Sequence, residues 1–449
     1  MKRPTLRGTA ALLVSLLCTP YSSLAEPAAS PPVTFASEEY RWAQGRTIDS
    51  ISVVGNRKVK DIAILREMEL RAGMTFDMAS FERDQRYIGD LGVFSSVVIT
   101  VDPLGDDMCT MRITVTERPT ILLKLIYPVL DYDFNSGRIR YGVKWNDSNF
   151  RKRLENFSVD VARDNFHNDR AAVQWSTRWV GWKQVGTFAR VSYFYREDPP
   201  GAKQIVEQGR VRVAAALPLS DSRLKVTQVI GGIGFADNRL GEPGPNEGET
   251  LFEDETLFSP NLGFSFDRRD SPLKPNWGDF FFINVTANRV LNGPDRNYYL
   301  LSNDIRTFRP LNDYTVVGFH SRLDYQFGDF PEYLGFNVGG AGSIRGYEPS
   351  DFRGNHRFYQ SLELRISPWA KRFYRVPLAG LSDFLVSMVV FVDGGIAWRN
   401  ENDFNGENYH VGFGWGVRLY SPFQDVIRFD VGYDRYGRVR PYIVTGVSF

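Results

Sequence analysis

Ile427-Arg428-Phe429-Asp430-Val431-Gly432-Tyr433-Asp434 sets four apolar or aromatic side chains against Arg428, Asp430, Gly432 and Asp434. Successive residues of a strand point to opposite faces, so the segment has one apolar face and one charged face. A soluble sandwich has no need to repeat that pattern at every strand, whereas lipid outside and water inside would produce it. The pattern returns upstream. Phe413, Trp415, Val417 and Leu419 oppose Gly412, Gly414, Gly416 and Arg418, and Phe281, Ile283, Val285 and Ala287 oppose Asn284, Thr286 and Asn288.

Short alternating segments of this kind recur from Thr120 to the end of the chain. Candidate strands lie near 121, 137, 155, 170, 186, 207, 225, 258, 278, 297, 314, 357, 385, 409, 425 and 440, each about ten residues long, as a tilted membrane strand should be. Sixteen is an even number, so both barrel ends fall on one side of the membrane. The odd-numbered connections are then extracellular, which makes residues 237–257, 327–356 and 399–408 outside loops. Ser421-Pro422-Phe423-Gln424 becomes a short periplasmic turn, and 368–384 is expected as a longer periplasmic connection.

The residues before Thr120 have a different periodicity. Lys2, Arg3 and Arg7, the apolar run from Ala10 to Leu17 and the small-residue site Ser23-Leu24-Ala25 read as an export signal over residues 1–25, cut before Glu26. That apolar run is too short to span a bilayer. Leu16 and Leu17 before Cys18 argue against a lipid attachment site. Residues 26–46 read from their Pro, Ala and Ser content as a flexible leader, with order beginning near Thr47. A strand through Ile51 to Val54 is followed by a Gly55-Asn56 turn, a helix opened by Asp61 and closed near Gly73, and a second helix capped by Asp77 and carrying Phe81, Ile88 and Leu91. Two strands complete the unit. Val97, Ile99 and Val101 share a face on one, and Cys109, Met111, Ile113 and Val115 share a face on the other, with Asp102 to Asp106 turning between them. The order is β-α-α-β-β.

Composition removes several functions. After the export signal Cys109 is the sole cysteine, so no intramolecular disulfide can form, and its place on an apolar face reads as a small core residue. A net charge of +1 with dispersed lysines and arginines is no footprint for nucleic acid. His167, His320, His356 and His410 form no metal spacing, there is no nucleotide-binding loop and no Gly-x-Ser-x-Gly elbow, so no catalytic, cofactor-binding or metal site is expected. Glu242, Glu247, Glu249, Glu253, Asp254 and Glu255 would form an acidic outside loop, either a solvated lid or a place for cations or a surface partner.

Gly342-Ser343-Ile344-Arg345-Gly346-Tyr347 in the sixth outside loop resembles the Val/Ile-Arg-Gly-Phe/Tyr motif of the BamA/TamA superfamily of outer-membrane assembly factors and its two-partner-secretion relatives. Residues 47–118, ending in Val-Thr-Glu-Arg-Pro, look like one POTRA domain of that superfamily, and residues 119–449 like its barrel. Ser361-Leu362-Glu363-Leu364-Arg365 on strand twelve, Phe391-Val392-Asp393-Gly394-Gly395 on strand thirteen and the end from Tyr442 to Phe449 are further matches in the right order. The resemblance implies a membrane all-β protein: a sixteen-stranded antiparallel transmembrane barrel with one small α+β periplasmic domain. It also implies that the sixth loop folds back into the lumen, where Arg345 meets acidic groups on strands twelve and thirteen. Alternation independently points Glu363 and Asp393 inward. Phe449 resembles the terminal aromatic by which such barrels are themselves assembled.

Relatives of the best-known kind carry several POTRA domains, and two-partner-secretion transporters usually carry two and a plug helix. This chain has one, so it most resembles single-POTRA barrels, without the hydrolase fused to some of them. The resemblance implies assembly of outer-membrane proteins, or translocation of polypeptides. The POTRA domain would take unfolded outer-membrane or secreted clients by strand addition, alongside outer-membrane lipid and either a periplasm-spanning partner or the general barrel-assembly machinery. Alternatives are a passive or lipid-related channel, or a secretion transporter dedicated to one partner. A passive channel needs an open lumen, which an inward sixth loop would obstruct.

Overall fold

The computed structural model describes residues 39–89, 91, 93–117, 124–133, 137–196, 204–219, 226–245, 249–270, 274–349, 351–368, 372–376, 380–420 and 426–445. The expected export signal, most of the leader, Glu247 and Phe449 lie outside them.

In the N-terminal domain the strand Thr47–Val54 lies parallel to Met108–Glu117, which pairs antiparallel with Phe94–Leu104. Cys109, Met111, Ile113 and Val115 turn one face of this sheet onto Ile64, Phe76, Phe81 and Ile88. Burying each such large apolar side chain stabilises the domain by about 1.5–3 kcal/mol. Cys109 is a free cysteine in that core, and burial pushes its thiol up. Asp77 precedes the helix Met78–Gly89, and its carboxylate accepts the Ser80 N–H at 2.9 Å. That hydrogen bond holds the Asp77 carboxyl below its usual range.

Two expectations for this region are corrected. The helix from Asp61 ends at Leu65 rather than near Gly73. The buried Asp84 carboxylate takes the N–H groups of Glu69 and Leu70 at 2.5 and 3.0 Å, so those residues turn away from the helical path. Order also begins before Thr47. Ala43 is fully buried, the Tyr40 and Phe81 rings meet edge-on at 5.6 Å, and Gly45 N–H donates to Phe76 O at 3.0 Å.

The rest of the described chain forms a closed antiparallel barrel of sixteen strands. Strands one to seven are Lys124–Asp133, Arg138–Phe150, Glu155–Asp164, Asp169–Thr177, Gly186–Tyr195, Gln204–Pro218 and Val226–Pro243. Strand eight is interrupted between Thr250–Phe258 and Asn261–Asp267, where Pro260 supplies no ladder donor. Gly278–Asn292, Asn297–Asn312 and Thr315–Gly328 are strands nine to eleven. Strand twelve is His356–Ile366 continued by Arg372–Val376, and Gly380–Trp398, His410–Tyr420, Ile427–Asp434 and Val439–Thr445 complete the barrel. Alternation has the sense lipid and water demand: Phe429 is 45% exposed outside, and Asp430 is 1% exposed inside.

Two connections differ from the sequence reading. Residues 237–257 are mostly strand: seven and eight pair as far as Pro243 with Thr250, with the Arg239 guanidinium 4.1 Å from the Phe252 ring centroid. Residues 368–384 are likewise largely a paired extension of strands twelve and thirteen, from Arg372 with Phe384 to Val376 with Gly380.

The domain docks on two periplasmic turns. Lys60 N–H donates to Lys152 O and Asn149 Nδ2 donates to Lys58 O, both at 2.8 Å, while Leu154 packs against the domain core. On the next turn the buried Trp179 donates its indole N–H to Glu67 at 2.6 Å, and the Arg66 guanidinium lies 5.8 Å from the Trp179 ring centroid. A buried, charge-assisted hydrogen bond and a large aromatic contact are lost together in Trp179→Ala, which should cost the docked state about 3–5 kcal/mol. Limited proteolysis should then cut the junction between domain and barrel faster, with the barrel itself still heat-modifiable. Unchanged cleavage would show that the contact does not hold the domain.

Candidate functional site

The sixth outside loop leaves strand eleven at Gly328, enters the lumen and returns at His356, carrying a small hairpin of Phe336–Val338 with Phe352–Gly354. Ile344 and Tyr347 are buried with Val338, so the loop has a small apolar core of its own. Arg345 between them is 3% exposed and fully engaged. Its Nε and Nη2 donate to the two oxygens of Asp393 at 2.7 Å each, its backbone N–H donates to Asp393 at 3.0 Å, and Nη1 donates to Glu363 at 2.8 Å. Nη2 also reaches Ser361 Oγ at 3.1 Å, and the guanidinium carbon stands 3.4 Å from the Phe391 ring centroid.

Glu363 and Asp393 have no measurable exposure. Each is inward because it occupies the lumen phase of its strand, opposite lipid-facing Leu362 and Val392, which are both 50% exposed. Burial alone would push the Arg345 guanidinium down, but Asp393, Glu363 and Asp430 carry it above its ordinary value. Charges this dry are tolerated only when paired and hydrogen-bonded.

Sequence reasoning placed Arg345, Glu363 and Asp393 in one site but left out the rest of it. Asp430 lies 3.6 Å from Arg345 and accepts from Arg428 at 2.9 Å and from Arg418, while Glu363 also accepts from Arg365 at 3.1 Å and Arg418 at 3.2 Å. The signal was the same alternation, which already put Arg418, Arg428 and Asp430 inward. Tyr442 on strand sixteen accepts the Gly346 N–H at 3.0 Å and donates to Tyr347 O at 2.8 Å, and Tyr347 donates to Val411 O at 3.1 Å. The loop tip is thereby held by strands twelve to sixteen.

Glycine makes that approach possible. A Cβ on Gly412 would collide with the Arg345 carbonyl oxygen, and one on Gly432 with the Gly346 nitrogen. Gly412→Val should therefore expel the loop tip with every charge in place. Protease cleavage within 329–355 and pore conductance should both rise, and a variant indistinguishable from wild type would show that the backbone contact is dispensable.

The loop stem is held by the opposite wall. Tyr333 O–H donates to Glu255, with its two oxygens at 2.5 and 2.6 Å, and Gln326 Nε2 donates to Leu334 O at 2.9 Å. Phe330 and Leu334 pack on Ala236, Leu257, Val290 and Tyr298. Glu255, expected in a solvated acidic lid, is 1% exposed, because the extended strand eight turns it inward. Among the described residues no three or more His, Cys, Asp or Glu side chains are grouped so as to hold a metal ion.

A closed sixteen-stranded barrel, lipid-facing outside, with a loop bound inside its lumen and a small α+β domain beneath, defines a transmembrane β-barrel that carries one further domain at its periplasmic end. Residues 149–444 match the Omp85 superfamily domain, and residues 46–118 match the POTRA family described as surface antigen variable number repeat. The chain belongs to the Omp85 superfamily, which places the barrel in the outer membrane and the POTRA domain in the periplasm.

The outer membrane protein assembly factor BamA of Neisseria meningitidis serogroup B is 21% identical over 438 residues, covering 86% of this chain and 51% of that protein. The chain thus spans about half the length of this curated relative. BamA of Haemophilus ducreyi lacking POTRA domains 1–3 superposes with TM-score 0.61 at 15% identity, over 89% of this chain and 84% of that one. CdiB of Escherichia coli does so with TM-score 0.62 at 15% identity, over 90% and 76%. These solved structures share the fold.

Proposed function

We propose that this protein is an outer-membrane insertion or translocation pore. Its POTRA domain would receive an extended polypeptide client, and its barrel would insert or pass that client. The observation that carries this reading is the barrel seam. Strands one and sixteen share two register pairs among the described residues, Tyr442 with Asp133 and Ile443 with Tyr132. This seam joins the first and last strands of the barrel, so unlike the hairpin-connected pairs it is held by ladder hydrogen bonds and side chains with no turn across it, and it can open without unthreading the chain. Tyr442 sits on that seam and also clasps the loop tip, so release of Arg345 and opening of the seam would be coupled.

In the POTRA sheet the strand Phe94–Leu104 has a single neighbour, which leaves an edge for a client strand. We take residues 1–25 as the export signal, 47–118 as the client-receiving unit and 119–449 as the pore, with no catalytic role. Clients would be unfolded outer-membrane or secreted polypeptides. A photoreactive residue at Val98, which is 50% exposed on that strand, should trap extended polypeptides in the intact cell envelope. Absence of any trapped polypeptide, with the protein correctly assembled, would count against client capture on this edge.

A further inference from the structure

The lumen wall of strands five to seven faces strands twelve to sixteen across the barrel and has an opposite charge economy. Arg190 on strand five and Arg212 on strand six are direct cross-strand partners, and Arg210 lies two residues along the same face. Val191, Val211 and Val213 alternate with them and are 55, 46 and 49% exposed on the lipid side, so the three arginines face the lumen. Like charges directly opposite one another destabilise a sheet.

Elsewhere in the lumen, arginines meet carboxylates, as Arg306 meets Asp304 at 2.7 Å and Arg322 meets Asp324 at 2.9 Å. Among the described residues no carboxylate pairs with Arg190, Arg210 or Arg212. Among these residues Arg190 reaches only the Gln174 amide oxygen, at 3.4 Å, and its Nε has no partner there.

Arg210 and Arg212 line a cavity of about 420 Å³ that Asn238 and Gln326 also line. Asn238 is 1% exposed; its Oδ1 accepts from Gln208 at 2.8 Å, and its Nδ2 is left without a partner. Gln326, 4% exposed, has an unpartnered Oε1. The neighbouring Arg210 and Arg212 guanidinium forks with a spare amide N–H suit a multiply charged oxyanion, because guanidinium donates in pairs to phosphate oxygens. The Gln326 oxygen can accept the proton of a hydrogenphosphate. We propose that this wall is an oxyanion-binding site for a phosphate group, free or carried on a lipid headgroup. Leu334 and Phe336 of the sixth loop also line the cavity, so an occupant would touch the loop stem.

The test uses the full mature protein in phosphate-free detergent. Its thermal unfolding is followed with sodium phosphate against sodium chloride at equal ionic strength, and with dihexanoyl phosphatidic acid against dihexanoylglycerol. Phosphate-specific stabilisation is expected, with apparent affinity falling at least about tenfold in Arg210→Gln and in Arg212→Gln. Without phosphate, Arg212→Gln should melt no lower than wild type, since it relieves a like-charge pair. An arginine-dependent response to free phosphate identifies a free oxyanion, and one confined to phosphatidic acid identifies a headgroup; either supports the site. A response no greater than that to chloride, or one undiminished in both variants, overturns it. So does a phosphate-free Arg212→Gln barrel melting well below wild type, which would show the arginine already paired.

Discussion

Arg345→Ala is expected to release the tip of the sixth loop, raise pore conductance and impair client handling. Asp393 has Arg345 as its only cationic partner among the described residues, supported by the Ser361 hydroxyl at 2.6 Å. Removing the guanidinium leaves that carboxylate dry and uncompensated, at a cost of about 3–5 kcal/mol. Glu363 suffers less, because Arg365 and Arg418 remain beside it. Asp393→Ala should reproduce most of the defect, and the double variant should add little to either single one, since both break one interaction. Accessibility of residues 329–355 to protease, bilayer conductance and client insertion provide the readouts. Fully additive effects with unchanged loop accessibility would reduce Arg345 to an ordinary loop residue, whose charge pairs are worth under about 1 kcal/mol.

Deletion of residues 47–118 should leave a heat-modifiable barrel in the outer membrane while client handling falls to background. The barrel closes through its own strand pairs, and the domain has a separate apolar core. What the deletion removes, besides the client edge, is cover for Leu154 and Trp179, which pack against the domain from the periplasmic turns. Some loss of barrel stability is therefore expected, and Trp179→Ala in the intact chain serves as its control. A truncated barrel that still handled clients at the wild-type rate would make the domain a spacer. Failure of the barrel to assemble would instead make it part of the barrel's own folding.

The barrel was legible because a strand's two faces answer to different solvents. The alternation of Phe429 and Val431 with Arg428 and Asp430 needs no knowledge of the partner strands, and repeated over the chain it gave the strand number and the inward phase of Glu363 and Asp393. Loop lengths were harder to read. Glu242 and Glu253 look like solvated loop residues, yet backbone pairing continues through them, because an extracellular hairpin can extend beyond the lipid with polar side chains on both faces.

Local periodicity also overran the helix from Asp61, since the side chain that ends it, Asp84, lies far along the chain and captures the Glu69 and Leu70 amides only once the second helix has packed. Still larger separations in sequence lie between Arg345 and Asp430, Tyr442 and Gly346, and Tyr333 and Glu255. By itself, then, the sequence determined the strand phase, the strand count and which faces are wet, all properties of short-range alternation. Only the closed barrel decided which inward charges meet, because ring closure brings distant strands around one buried loop and sets the arginines of strands five and six on the wall away from the Arg345 cluster.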